Sequence, residues 1–471
     1  MILAILPGSR VCLKRDIVDY SFSRTNRIEC EQTHEADEAS TTRITERYSF
    51  ASAFSVVRKM ETSPARSAVF TEIKNKNLLY RTIDALYESA DVRVSKPFAL
   101  FLYMLKCAIS IGPRVAQNSE AVSFANFENE KHTIDRFAAI VPGKNIFHLS
   151  PKRRNMLNIA QLSAAWQLLR VTPRIWRFLS KLAARHSFMP SARIASGLAY
   201  YIRFSQLLRV NPQLNAVVVA SNYSPEALGL SAAAHKEGRK VIYFNHAPVP
   251  ANGALIPPVL ADCAVFYGDA IRQTYDRHSR CVADVVLVGQ PGVARPMEWQ
   301  SSVQKVGIFL TALTRPETVT ALVEAISASQ PQAKILIRNH PVGLLKSDFK
   351  HLAERFSNLE VTLGNPLDDE IAACDLVFCG NSGVAMNILR GGRPVAYIAA
   401  LDALNYDYNG FVARKLVYET EGWSDDLYFQ LQTFYANAEW RTVMRSYDAS
   451  YGANKSELER AAATRILPYL S

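Results

Sequence analysis

A chain of 471 residues exceeds what one hydrophobic core normally serves, so two or three domains are expected. An apolar content of 49% lets a large core form, and a net charge of +11 points to an anionic partner (nucleic acid, acidic lipid or phosphorylated small molecules) rather than an acidic one, with a generally basic surface as the plainer reading. Seven scattered cysteines, with no Cys-x-x-Cys pair and no Cys/His cluster at zinc spacing, argue against a structural metal and suit a reducing compartment.

The opening "MILAILPGSR" lacks a basic region and is too short an apolar stretch for a signal peptide. Residues 1–90 carry little pattern, and "ECEQTHEADEASTTRITER" (29–47) reads as a loop or mobile segment. "PFALFLYMLKCAISIG" (97–112) is the most apolar segment. Lys106 interrupts it, and it falls short of the roughly 20 residues that span a bilayer. A buried helix is expected there, with a membrane-dipping helix as the alternative, so a cytoplasmic chain, at most peripheral to the plasma membrane, is expected.

From about residue 133 the pattern sharpens. "TIDRFAAIVPG" offers a strand ending in Pro-Gly. "NMLNIAQLSAAWQLLRVTPRIWRFLSKLAARH" (155–186) has helical apolar spacing, and Pro173 predicts a break into two helices. "SARIASGLAYYIRFSQLLRV" (191–210) predicts another helix capped by Ser191. Arg170, Arg174, Arg177, Lys181 and Arg185 alternate with Trp166, Trp176 and Phe178, so the basic helices over 155–210 can rest on an anionic membrane surface or simply present a solvated basic face. No nucleic-acid motif is evident, and nucleic acid is not the expected partner.

Short β-branched runs then alternate with helical stretches: "NAVVVA", "SPEALGLSAAAHKEG", "KVIYFNHAP", "CAVFYG", "DAIRQTYDRH" and "DVVLVGQPG". Turn formers over 290–304 interrupt, and a second alternation runs from "KVGIFLTAL" to "RPVAYIAA" (393–400). This is the pattern of parallel sheets covered by helices, twice over, with a cleft between. In such sheets ligands bind at the carboxyl ends of the strands. The polar residues collect there: His246 after "VIYFN"; Thr311 and Thr314 after "VGIF"; Arg338, Asn339 and His340 after "ILI"; Asn381, Ser382 and Gly383 after "LVFCG". Arg338 suits a bidentate phosphate contact, or else a salt bridge to Asp369 or Glu370. The small-residue loop before "VAMNILRGG" suits an anion at a helix N-terminus, or else a plain helix cap. Thr314 can be no more than a cap as well.

"IRNHP" followed by "GNSGVAMNILRGGRPVAYI", with "ASNYSPEALGLSAAAHKEGRKVIYFNHAPVP" upstream, resembles bacterial capsular-polysaccharide transferases of the polysialyltransferase, Kdo-transferase and CDP-glycerol glycerophosphotransferase types. The resemblance covers about residues 210–400. It implies a GT-B architecture: α/β, two Rossmann-like doubly wound domains facing a cleft, with a mainly helical N-terminal extension. It implies metal-independent transfer from a nucleotide-activated sugar, a substrate rather than a cofactor, to a glycan or lipid-linked acceptor. The domains expected are an extension over 1–130, partly disordered or helical, an acceptor lobe over 131–296, a donor lobe over 297–440, and C-terminal helices over 441–471 packing across both. His340 and Pro341 match the His-Pro motif, whose His contacts donor phosphate. Ser382 and Gly383 match the donor-binding loop, which Thr311, Thr314, Arg338, Asn339 and Asn381 extend. His246 matches a general base or acceptor contact, with Asp262 and Glu226 as rival bases. Many relatives carry Glu five residues after the Ser; here Asn387 stands there, without a carboxylate. A CDP-polyol phosphotransferase, a sugar-nucleotide 2-epimerase and an inactive binding scaffold are the alternatives.

Overall fold

The computed structural model describes residues 50–110, 115–149, 159–251, 256–278, 280–311, 313–340, 349–362, 364–403 and 406–471. The segment 29–47 and Pro341 lie outside them. Four helices come first: α1 (Phe50–Glu61), α2 (Pro64–Lys76), α3 (Leu78–Ser89) and α4 (Ser95–Ser110). Strand β1 (Ala121–Phe124), α5 (Glu128–Ile140) and β2 (Ile146–Leu149) follow, then α6 (Ile159–Ala183) and α7 (Phe188–Val210). The lobe is completed by β3 (Ala216–Val219), α8 (Pro225–Lys236), β4 (Lys240–Phe244), β5 (Cys263–Phe266), α9 (Asp269–Arg277) and β6 (Asp284–Leu287).

These strands form one parallel sheet in the order β2-β1-β3-β4-β5-β6. β3 and β5 are buried along their whole length, as four-residue runs such as AVVV and CAVF require when helices cover both faces. The first lobe therefore starts before residue 131: β1 lies inside the segment expected to be an extension, and Val57, Leu100 and Met104 of the preceding helices share its core. Residues 133–143 correct another expectation. Ile134, Phe137 and Ile140 recur every third residue and line the buried side of a helix, not a strand. Pro173 does not split α6. That helix buries Leu168, Ile175 and Leu179, and this packing outweighs the roughly 3 kcal/mol that an interior proline costs. The following helix starts three residues earlier than expected, with Ser187 rather than Ser191 at its N-cap.

An irregular linker over 288–304 leads to the second lobe. It comprises β7 (Lys305–Phe309), α10 (Pro316–Ser329), β8 (Lys334–Arg338), α11 (Lys350–Arg355), β9 (Leu359–Thr362), α12 (Leu367–Ala373), β10 (Leu376–Cys379), α13 (Val384–Arg390), β11 (Val395–Tyr397) and β12 (Tyr418–Glu419). All are parallel, in the order β12-β11-β10-β7-β8-β9, the doubly wound dinucleotide-fold order. Helices α14 (Leu427–Ala436) and α15 (Ala438–Tyr447) belong to this core through Leu431, Trp440 and Met444, so the boundary expected at 440 falls inside α15. The chain crosses back only after Tyr447, and α16 (Lys455–Ile466) packs Ala462 and Ile466 into the first lobe.

The crossing is tight. A Cβ on Gly268 would lie 2.3 Å from the Ser446 carbonyl oxygen, and Gly289, at φ +66°, leaves room for Ser450. Asp448, fully buried, accepts from Arg390 Nε and from the Gln290 amide, both at 2.8 Å. One carboxylate thus joins linker, second lobe and C-terminal segment. Two parallel-sheet lobes facing each other across a cleft are the GT-B arrangement.

Candidate functional site

The carboxyl ends of β4 and β5 in the first lobe and of β7, β8 and β10 in the second open onto one cavity of about 520 Å³. His246, Arg338, Asn339, His340, Ser382, Gly383 and Asn387 all line it. Thr311, Thr314 and Asn381 do not. Thr311 and Thr314 are buried and satisfy each other: the Thr311 amide donates to Thr314 Oγ1 at 2.8 Å, closing the turn before α10. Asn381 accepts from Tyr397 Oη at 2.7 Å and the Tyr408 amide at 2.8 Å, and donates to the Tyr406 carbonyl at 2.6 Å. It holds the 406–408 loop in place.

His246 is half-buried, and its Nδ1 meets the carbonyl oxygen of Ala220. A carbonyl only accepts, so Nδ1 carries the proton, and in the neutral ring Nε2 keeps its lone pair. The rival bases stand elsewhere. Asp262 precedes β5, at the amino edge of the sheet, where its Oδ2 accepts from the Val241 amide at 2.8 Å and lies 3.2 Å from His235 Nε2. Glu226 is buried beside Arg193, which also bonds Glu61 at 2.7 Å.

On the second lobe, the Arg338 guanidinium pairs with Glu370 and donates to the Asn365 carbonyl at 3.0 Å. The salt bridge weighed against a phosphate contact is thus present, and it neutralises Arg338. Burial holds the His340 imidazole below its ordinary pKa, so it is neutral at pH 7. Ser382 Oγ accepts from the Val384 amide at 3.3 Å, but the N-cap of α13 is Gly383, with no side-chain cap bond. That helix has only seven residues, too short for the dipole-built anion site expected there. Gly383 abuts the other lobe: a Cβ would stand 3.2 Å from the ring of Pro248. Asn387 is exposed on the cavity side of the same helix.

One cation was missed. Arg414 lines the cavity from the second lobe and reaches α9 of the first, donating to the Ala270 carbonyl at 2.9 Å and to Thr274 Oγ1. Both acceptors are neutral. The turn that presents it is built by Asp407, whose carboxylate takes the amides of Phe411, Val412 and Ala413 at 2.8–2.9 Å. Its sequence signal is the Asp-x-Asn-Gly stretch, which lies off any strand tip. Tyr447 packs beside the guanidinium, and burial pushes its phenol up to about 12.

Among the described residues, the cavity wall carries two arginines, two histidines and no carboxylate. No group of three or more His, Cys, Asp or Glu is arranged to hold a metal there or elsewhere among them. The wall can therefore bind an anion and accept a proton at a histidine, and among the described residues it offers a divalent cation only neutral oxygens, such as those of Asn339, Asn387 and Asn409, and no carboxylate.

No protein-family model and no curated protein matches the chain. Among solved structures it is similar to a pneumococcal O-GlcNAc transferase in complex with UDP and GlcNAc (12% identity, TM-score 0.34, 54% of this chain and 57% of that one). It is also similar to a UDP-GlcNAc 2-epimerase from Neisseria meningitidis bound to UDP-GlcNAc (10%, 0.45, 74% and 99%) and to a lipopolysaccharide outer core galactosyltransferase (12%, 0.41, 73% and 99%). The chain spans little more than half the length of the first. The fold rests on the strand order described above, and no function passes from these proteins.

Proposed function

We propose that the chain is a metal-independent GT-B glycosyltransferase that moves a sugar from a nucleotide-activated donor to a glycan or lipid-linked acceptor in bacterial surface polysaccharide synthesis. The observation that carries this reading is a cavity between two doubly wound lobes whose described residues include no carboxylate, with a histidine of fixed tautomer on one side and cations on the other.

In the proposed reaction, His246 Nε2 takes the proton of an acceptor hydroxyl. The hydroxyl oxygen forms a bond to the anomeric carbon, the bond from that carbon to the phosphate oxygen breaks, and its electron pair leaves with the nucleotide. General-base help of this kind is worth about 10²–10⁴-fold. The growing charge on the leaving phosphate is met by Arg414, whose present acceptors are neutral, and by His340 and Ser382. Arg338 contributes less, because Glu370 already balances it.

Thermal stabilisation with CMP-, CDP-, UDP- and GDP-linked donors tests the reading. Stabilisation by a nucleotide sugar, lost in His340→Ala with the fold intact, supports it. Stabilisation only by a CDP-polyol would assign the phosphotransferase instead. Conversion of a donor to its epimer without acceptor would assign the epimerase, and silence toward every donor the scaffold.

A further inference from the structure

The outer helices of the first lobe carry a second surface with its own chemistry. Helices α4, α6 and α7 pack on one another, and α7 is buried from Ser191 to Leu208 apart from Arg193. It cannot face a membrane, although the basic stretch 155–210 includes it. The outward sides of α4 and α6 look away from it. Trp176 Nε1 donates to the Arg93 carbonyl at 3.1 Å, fastening the second half of α6 to the turn before α4.

Both outward sides are apolar where a soluble surface would be polar. Phe98 and Leu102, one turn apart on α4, are 51% and 48% exposed. Trp166 and Leu169 on α6 are 57% and 47% exposed, and Leu78, Leu79 and Leu86 on α3 more so. Of the fifteen large exposed apolar side chains among the described residues, nine lie between Leu78 and Leu102 or at Trp166 and Leu169. Arg170, whose guanidinium stands 5.2 Å from the Trp166 ring, starts an exposed row that continues through Arg174, Arg177, Lys181 and Arg185. No Asp or Glu occurs between Asp135 and Glu226, while thirteen Lys and Arg do. The nearest acids on the neighbouring helices are engaged: Glu88 with Lys96, and Asp91 with the amides of Arg93 and Val94.

We propose that the outer faces of α3, α4 and α6 form a docking surface for an anionic lipid bilayer. Leu and Phe enter the acyl boundary, Trp166 sits at headgroup level, and the arginine row meets lipid phosphates. The choice of a bilayer over a protein partner rests on charge complementarity: a row of exposed cations edging an apolar stripe suits a sheet of anionic headgroups. No helix among the described residues is long and apolar enough to cross a membrane, so the chain lies on the surface. The proposal does not depend on the donor-binding reading.

The test is co-sedimentation of the full chain with phosphatidylcholine vesicles, with and without phosphatidylglycerol, at low and high salt. Binding only to the anionic vesicles, weakened by salt, is the expected result. The triple variant Arg170→Glu, Arg174→Glu, Arg177→Glu should lose on the order of 100-fold in partitioning. Phe98→Ser with Leu102→Ser should lose about ten-fold. All five side chains are exposed, so both variants should melt with the parent chain and keep its response to nucleotide donors. Failure to bind anionic vesicles, or equal binding by parent and variants, overturns the proposal. So does a dimer that Leu102→Ser dissolves in a chain indifferent to lipid, because the face would then pair two copies.

Discussion

The strand order reverses between β1 and β3 in the first lobe and between β7 and β10 in the second. Such switch points are where doubly wound sheets open a ligand crevice, yet the two lobes treat them differently. In the first, Ala125, Ala220 and Ile134 form a small buried cluster beyond the strand ends. Asn222, just after β3, is itself buried and donates to Tyr275 Oη at 2.8 Å and to the Pro257 carbonyl at 3.2 Å. In the second, Phe309 and Leu310 on one side and Ser382 to Asn387 on the other open directly into the cavity. The lobe with the open switch point is the one expected to hold a nucleotide. The lobe with the filled one contributes His246 from the loop after β4, where its Nδ1 meets the Ala220 carbonyl at the edge of that cluster.

Four perturbations sharpen or break that contrast. The largest effect is expected at His246. His246→Ala should lower turnover by about 10²–10⁴-fold while donor-induced stabilisation persists; loss of donor binding instead would move His246 to the donor side. Next, Arg414→Gln should weaken donor binding about 10–100-fold by calorimetry, the worth of a charge-assisted hydrogen bond. Arg338→Gln should do less, since that cation is already compensated by Glu370, and the reverse ranking would contradict the charge assignment. Third, filling the two switch points should have different consequences. Ala125→Leu overpacks a closed cluster and should cost about 1–3 kcal/mol, read as a lowered Tm. Gly383→Leu, at a φ any residue adopts, has to push the Pro248 ring aside and so costs some Tm too, but it should abolish donor stabilisation, which Ala125→Leu leaves intact.

The smallest effect is a pH dependence. Burial depresses the native-state pKa of His340, and of His148 and His186 likewise, so the unfolded chain takes up protons first as pH falls below about 6.5. Their neutral forms support the fold above that pH, and stability is lost as pH falls toward the depressed values. His340→Gln should remove one part of this acid-side loss in melting curves and leave the neutral-pH plateau unchanged.

The alternation from residue 215 to 400 was legible because its strands are short runs of β-branched residues bounded by turn formers. The polar tips at His246, Arg338 and Ser382 were legible because nothing in a buried strand explains them. The first lobe's edge was not. β1 (AVSF) and β2 (IFHL) are four residues each, with Ser123 bonded across to His148 at 3.0 Å, and neither shows a clean apolar run. Pairing brought them together, and local pattern does not report pairing. The ion pair of Arg338 with Glu370 joins residues 32 apart, and Arg414 reaches 140 residues back to Thr274. Such distances are set by the packing of the lobes, so sequence supplied candidate charges without showing which were already balanced.

The most direct measurement is a crystal structure with the nucleotide of whichever donor stabilises the chain. The account predicts its base and ribose on the second lobe beside Ser382 and Asn387, and its phosphates within hydrogen-bond reach of Arg414 and His340, facing His246 across the cleft. A nucleotide bound at the switch point between β1 and β3, or on a surface remote from the cavity, would contradict it.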